Sequence, residues 1–245
     1  MTYCVAWKSA NSIFFAADSS VTSNNSLFTS RPKLKSIPSS FNEYSRHPNG
    51  KYTEEAIIKI LTFKNSVAVS FAGDLKDISA TLDVFRRALE YNSNPHTALT
   101  TAVNSSAPAE SIHRASIIIG YLEEGKPILL CYNKNGDRKI REIDSIVQIG
   151  SGANQFRVFT HDIIKKLLDR NLYDYQFLPL VSALLQNFGV HNNLVSLKSG
   201  GTFYGVRIDI NGIEWQPDTV YVIYGHRTGF QRFHSNTTGC DSKDG

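Results

Sequence analysis

The chain opens Met1-Thr2-Tyr3-Cys4-Val5-Ala6-Trp7-Lys8, and its second residue is the first that could do chemistry. Thr2 is small, so removal of Met1 would leave a threonine carrying both a hydroxyl and a free α-amine. An α-amine has an ordinary pKa of about 7.7–8.0. Near neutral pH part of it is unprotonated and can take the hydroxyl proton as the oxygen attacks an electrophile. An internal threonine has no such base. A Met-Thr start is generic, but here an apolar strand begins at once, which places Thr2 at the edge of a core rather than on a fraying end.

Lys59 is the second candidate, because it interrupts an apolar run from Ala56 to Leu61. A charge inside such a run is either an edge residue facing water or a partnered functional group. Other reactive types carry less. The seven histidines show neither HExxH nor another ligand spacing, and Cys4, Cys131 and Cys240 are an odd number without paired spacing. Neither a disulfide framework, a metal site nor a cofactor is expected. Cys4 lacks an adjacent amine and reads as a small core residue. Gly150-Ser151-Gly152 and Ser199-Gly200-Gly201 read, each alone, as tight turns. The first could cradle a phosphate at a helix N-terminus, but it lacks a Walker lysine and the rest of a nucleotide fingerprint.

The 245 residues, 41% apolar and 20% charged, are ordinary for a soluble globular chain with a core of its own. No apolar run approaches the roughly 18 residues of a membrane span, so no membrane partner is expected. The formal charge of +4 is scattered. Only Arg31-Pro32-Lys33-Leu34-Lys35 is locally basic, and a solvated loop explains it better than a nucleic-acid contact. The cysteine usage suits a reducing compartment, and the apolar start is broken too early, by Lys8 to Ser12, for a signal peptide. A cytoplasmic location is expected.

Several elements must position these residues. Residues 2–8 and 12–17 read as two strands joined by a polar turn, with Asp18 immediately after. Residues 23–55 are dense in Ser, Asn and Pro without an apolar period and read as a long loop insertion. Strands follow at 56–63 and 66–73, joined around Lys64-Asn65. On the second of them Val67, Val69 and Phe71 share one face, and Ala68, Ser70 and Ala72 share the other.

Leu75, Ile78, Leu82, Phe85 and Leu89 recur at helical spacing over 75–91, and a second helix is read over 95–106. Strands are expected at 115–122, 127–132 and 146–149, with a hairpin turn at Asn135-Gly136. Helices are expected after Gly152, with a stripe of Phe156, Phe159, Ile163 and Leu167, and over 174–188. Strands at 202–209, 213–215 and 220–223 close the chain around an Asn211-Gly212 turn. One domain over 1–233 with a disordered tail at 234–245 accounts for all of this. The order of elements suits an α+β, four-layer αββα sandwich, two antiparallel sheets between helix layers.

With Thr2 at its head, that layout resembles the proteasome β-type subunits and their bacterial homologues, closest to the ancestral-beta-subunit branch, within the N-terminal-nucleophile (Ntn) hydrolase superfamily. The resemblance covers most of residues 2–22, 56–92, 115–165 and 194–225. It implies Thr2 as nucleophile, Asp18 as its acidic partner and Lys59 as the basic residue of the third strand. A lysine ammonium beside Thr2 would ease alkoxide formation and depress the amine's pKa, with Asp18 fixing the lysine.

The resemblance also implies Ser151 and Ser199 as accessory serines and the Gly73 N–H as oxyanion donor. The main chain of Thr22 would bind an extended substrate as an added strand, and Phe71 would floor the pocket for the side chain before the cut bond. Phe71 reads equally well as core beside Val67 and Val69. Three residues before Ser199 the family usually has an aspartate, and here Ser196 stands in that place, which cannot supply a negative charge.

The implied activity is a threonine-type endopeptidase acting on peptides or unfolded proteins, in a homo-oligomeric ring, with an ATP-dependent unfoldase as partner. The alternatives are a catalytically silent structural subunit of such a ring and a small-molecule amidase on the same fold.

Overall fold

The computed structural model describes residues 3–18, 20–23, 44–46, 52–55, 58–91, 94–106, 114–133, 139–152, 154–170, 173–191, 203–216, 220–225 and 231–236. Strands β1 (Tyr3–Lys8) and β2 (Ile13–Asp18) form an antiparallel hairpin, Cys4 opposite Ala17 and Lys8 opposite Ile13. Both are buried on both faces, which is why they read as continuous apolar runs rather than as alternation.

The next strands are β3 (Ser20–Ser23), β4 (Tyr44–Arg46), β5 (Tyr52–Glu55), β6 (Ile60–Phe63) and β7 (Val67–Gly73). Helices α1 (Leu75–Glu90) and α2 (Pro95–Ser106) follow, then β8 (Ala115–Glu123), β9 (Lys126–Tyr132), β10 (Ile140–Glu142) and β11 (Ile146–Gly150). Helices α3 (Asn154–Leu168) and α4 (Asp174–His191) lead to β12 (Phe203–Asp209), β13 (Gly212–Trp215), β14 (Val220–Gly225) and β15 (Gln231–Asn236).

Two five-stranded antiparallel sheets result, one in the order β11-β1-β2-β12-β13 and the other β10-β9-β8-β7-β6. Side-chain alternation sorts the apolar residues into three layers. Tyr3, Val5, Trp7, Phe14 and Ala16 pack against α3 and α4. Cys4, Ala6, Phe15 and Ala17 meet Ala68, Ala72 and Ile118 between the sheets. Val67, Val69 and Phe71 pack beneath α1 and α2. The molecule is the expected four-layer αββα sandwich.

Helix α1 starts at Asp74, whose carboxylate accepts the Lys76 N–H at 2.9 Å. Its stripe of Ile78, Leu82, Phe85 and Leu89 is buried, while Leu75, in the first turn, is 50% exposed and lies outside the stripe. Helix α2 has proline at its first position, where the missing N–H costs nothing, and the Asn94 side chain accepts the Thr97 N–H. On α3 the buried positions are Phe156, Thr160, Ile164 and Leu167, with Phe159 and Ile163 half-buried at their flank.

The structure departs from the sequence reading where backbone pairing, not apolar period, makes the strand. Residues 23–55 are not wholly loop: β4 and β5 lie within them, and β5 pairs with β3. Tyr-Thr-Glu-Glu has no apolar alternation to announce a strand. For the same reason the three-residue β10 was not anticipated. The strand expected from residue 56 begins at Ile60, so Lys59 precedes β6 rather than lying within it. At the far end β15 runs to Asn236 against β14, which takes three residues from the expected tail. The expected turn at Asn135-Gly136 lies outside the described residues.

Candidate active site

Asp18 closes β2 between β1 and β12, with Phe203 opposite it, and its carboxylate is fully buried. A buried carboxylate needs partners, and two are in place. Its Oδ1 accepts the Tyr3 N–H at 3.0 Å and forms an ion pair with Lys59 Nζ. Lys59 is itself only 2% exposed. The edge-facing-water reading of this lysine is therefore excluded. It is a buried charge held by a buried counter-charge, brought together across 41 residues of sequence.

The Tyr3 N–H belongs to the Thr2–Tyr3 peptide bond, so the Asp18–Lys59 pair sits one peptide from the threonine. Thr2 itself lies outside the described residues, as do Ser196 and Ser199. Thr22 is described in its backbone, opposite Thr53 on β3, and β3 stands at one edge of the sheet β3-β5-β4.

Gly73 ends β7 opposite Ala115 with φ at 129°, a conformation that side-chain-bearing residues rarely adopt. A Cβ there would lie 1.9 Å from the Arg114 carbonyl oxygen. Glycine is thus required by both torsion and space. Phe71, two residues earlier, is 6% exposed and packs with Val67 and Val69 on the helix side of its sheet. Its carbonyl oxygen accepts a bond from Cys4 Sγ at 3.3 Å, which ties β1 to β7 next to the charged pair.

Burial pushes the Cys4 thiol up to about 12, a rise that nearby Lys59 only partly opposes. At neutral pH it is a thiol, not a thiolate, and no rival nucleophile. Among the described residues no group of three or more His, Cys, Asp or Glu side chains could hold a metal.

Ser151 follows Gly150, which stands opposite Tyr3 in the β1–β11 register. Its turn is fastened by residues that the sequence did not single out. Arg157 donates from Nη2 to the Gly150 carbonyl, from Nε to that of Gly152 at 3.3 Å and from Nη1 to that of Gln148 at 3.4 Å. Gly152 lies under the Tyr3 ring, where a Cβ would come within 2.6 Å of the ring edge. The two glycines of this motif therefore serve a turn and a close approach. Bonds to main-chain carbonyls impose no residue pattern on the segment they hold, so no sequence signal marked Arg157.

No protein-family profile matches the sequence, and no curated protein matches it. The fold does have solved counterparts. The structure of eukaryotic HslV from Trypanosoma brucei superposes with a TM-score of 0.56 at 16% identity, over 85% of this chain and 99% of that one. The chain has the fold of HslV, a proteasome-like Ntn hydrolase. At that identity the likeness is one of architecture. Among the described residues no helix is long and apolar enough to cross a membrane.

Proposed function

We propose that the chain is a proteasome-like threonine peptidase whose nucleophile is Thr2 once that residue is N-terminal. The observation that carries the reading is the buried Asp18–Lys59 pair bonded to the amide of the Thr2–Tyr3 peptide. A desolvated ammonium is costly to keep, and its placement beside the head of β1 is what an N-terminal nucleophile would use. There it would stabilise the alkoxide as it forms and lower the pKa of the amine.

In the proposed reaction the Thr2 amine takes the Oγ proton as Oγ bonds to the carbonyl carbon of a peptide. The Gly73 N–H faces the oxyanion. Collapse breaks the C–N bond, the amine passes its proton to the leaving nitrogen, and an ester to Oγ remains. Water, deprotonated by the same amine, then hydrolyses that ester and restores the hydroxyl. Ser151 and Ser199 act as accessory hydroxyls near the nucleophile. The edge position of β3 supports binding of the substrate backbone beside Thr22 as an added strand. The substrate class is peptide or unfolded protein, and a ring of like subunits fed by an unfoldase is the assembly this implies.

The test combines intact mass with acylation by p-nitrophenyl acetate, followed as nitrophenolate release against pH. Chains that start at Thr2 should acquire one acetyl group on that residue, at a rate rising with pH to a plateau. The midpoint should fall below the ordinary amine range of about 7.7–8.0, because a cation disfavours a second positive charge nearby. A blocked Thr2 amine on most native molecules removes the mechanism. An open N-terminus that does not acylate favours the silent-subunit reading, for which Ser196 in place of the family's aspartate is the motive.

A further inference from the structure

Tyr3 connects two parts of the candidate site that are otherwise separate. Its N–H donates to Asp18, while its hydroxyl donates to Gln148 Oε1 at 2.9 Å. Gln148 in turn donates from Nε2 to the carbonyl of Arg157 at 3.1 Å, and the Arg157 guanidinium returns to the carbonyls of Gln148, Gly150 and Gly152. A continuous set of bonds therefore runs from the Lys59–Asp18 pair, through the first peptide after Thr2, to the turn that carries Ser151.

Packing alone does not account for this set. The Tyr3 ring already meets Phe156 edge-on at 4.8 Å and Phe203 at 6.4 Å, and a phenylalanine would keep both contacts. The hydroxyl adds no apolar area, and burial makes it a poor acid whose proton stays available to donate. Arg157 is similarly specific. Three carbonyls, two at the end of β11 and one in the turn that follows, suit a rigid fork with five donors, whereas a lysine offers a single point of attachment.

We propose that Arg157, Gln148 and Tyr3 are positioning residues that lock the Ser151 turn to the head of β1, so that the Thr2 hydroxyl and the Ser151 hydroxyl are held in register for attack. The inference rests on the proposed function. Its effect is on the rate of acylation, because displacement of reacting groups by about 1 Å can cost on the order of 100-fold.

The decisive comparison uses the full chain with Thr2 exposed and its Tyr3→Phe, Arg157→Met and Arg157→Lys variants. Each is acylated with p-nitrophenyl acetate across the pH range at a temperature where near-ultraviolet circular dichroism shows it folded. Tyr3→Phe and Arg157→Met should lower the plateau rate roughly 10- to 100-fold with the pH midpoint unchanged. Arg157→Lys should recover part of the loss. A merely structural role would lower the melting temperature and leave the plateau of the folded protein where it was. Should Arg157→Met fail to fold, Tyr3→Phe, which removes one oxygen, decides alone. Parent-like plateaus in folded Tyr3→Phe and Arg157→Met overturn the positioning role while leaving the peptidase reading intact. A Thr2-exposed parent that does not acylate overturns both.

Discussion

Lys59 and Asp18 hold opposite charges where water does not reach, so neither can be removed alone without leaving the other uncompensated. On the sequence reading, an edge lysine would tolerate truncation, and Lys59→Ala would test catalysis on an intact fold. Burial changes that expectation. Breaking a buried pair by removing one partner costs about 3–5 kcal/mol, whereas replacing both by apolar residues of similar volume is often neutral. Lys59→Ala should therefore lower the urea midpoint markedly, while the double variant Asp18→Leu/Lys59→Met should recover part of that loss but not all of it, because the buried Tyr3 N–H then lacks its acceptor. Both should lose acylation of Thr2. A double variant that is stable and still acylates at the parent rate would return the pair to a structural role.

The elements around the site differ in how far the sequence announced them, and the difference is physical. Strands β1, β2, β7, β8 and β9 bury apolar side chains and are visible as apolar runs, as are α1 and α3 by their stripes. Strands β4, β5 and β10 are short and mostly polar, held by main-chain bonds that any residue can make, and leave no period to read. Site residues follow the same division. Lys59 is legible because a charge interrupts an apolar run, and Asp18 because the family resemblance implies it as an acidic partner. The Tyr3–Gln148–Arg157 set is not, because each bond ends on an atom that the sequence does not vary or on a partner 145 residues away.

Phe71 tests this division on one strand. Alternation along β7 puts its ring with Val67 and Val69 beneath α1, so Phe71→Ala should cost about 3–5 kcal/mol as core phenylalanines do. The proposal that the ring also floors the substrate pocket expects more. At matched folded fraction, turnover of a peptide library should shift toward bulkier side chains before the cut bond. An unchanged preference order assigns the ring wholly to the core.

At the scale of the whole molecule, the question is what a sandwich with helices on both outer faces does with the apolar residues it leaves outside. Leu75 lies in the first turn of α1 and Tyr91 just past its end, Val158 lies on α3, and Tyr173 and Tyr175 stack at 5.7 Å at the start of α4, all exposed. Singly, such residues are ordinary on any surface. Their placement on or beside the helices, however, is where copies would meet if the helix layers pack against one another in a closed ring, the arrangement proposed from the fold. A closed ring needs a heterologous contact repeated with rotation, so its mass is a fixed multiple of the subunit and does not grow with concentration. Light scattering coupled to gel filtration should accordingly give one species at an integral multiple of 27.3 kDa across a wide dilution series. Charge substitutions such as Val158→Asp or Tyr175→Asp should dissociate it while leaving each subunit folded. A parent protein that is monomeric at every concentration, yet acylates at Thr2, would instead identify the small-molecule amidase, since an open site on a single subunit has no enclosure to keep folded proteins out.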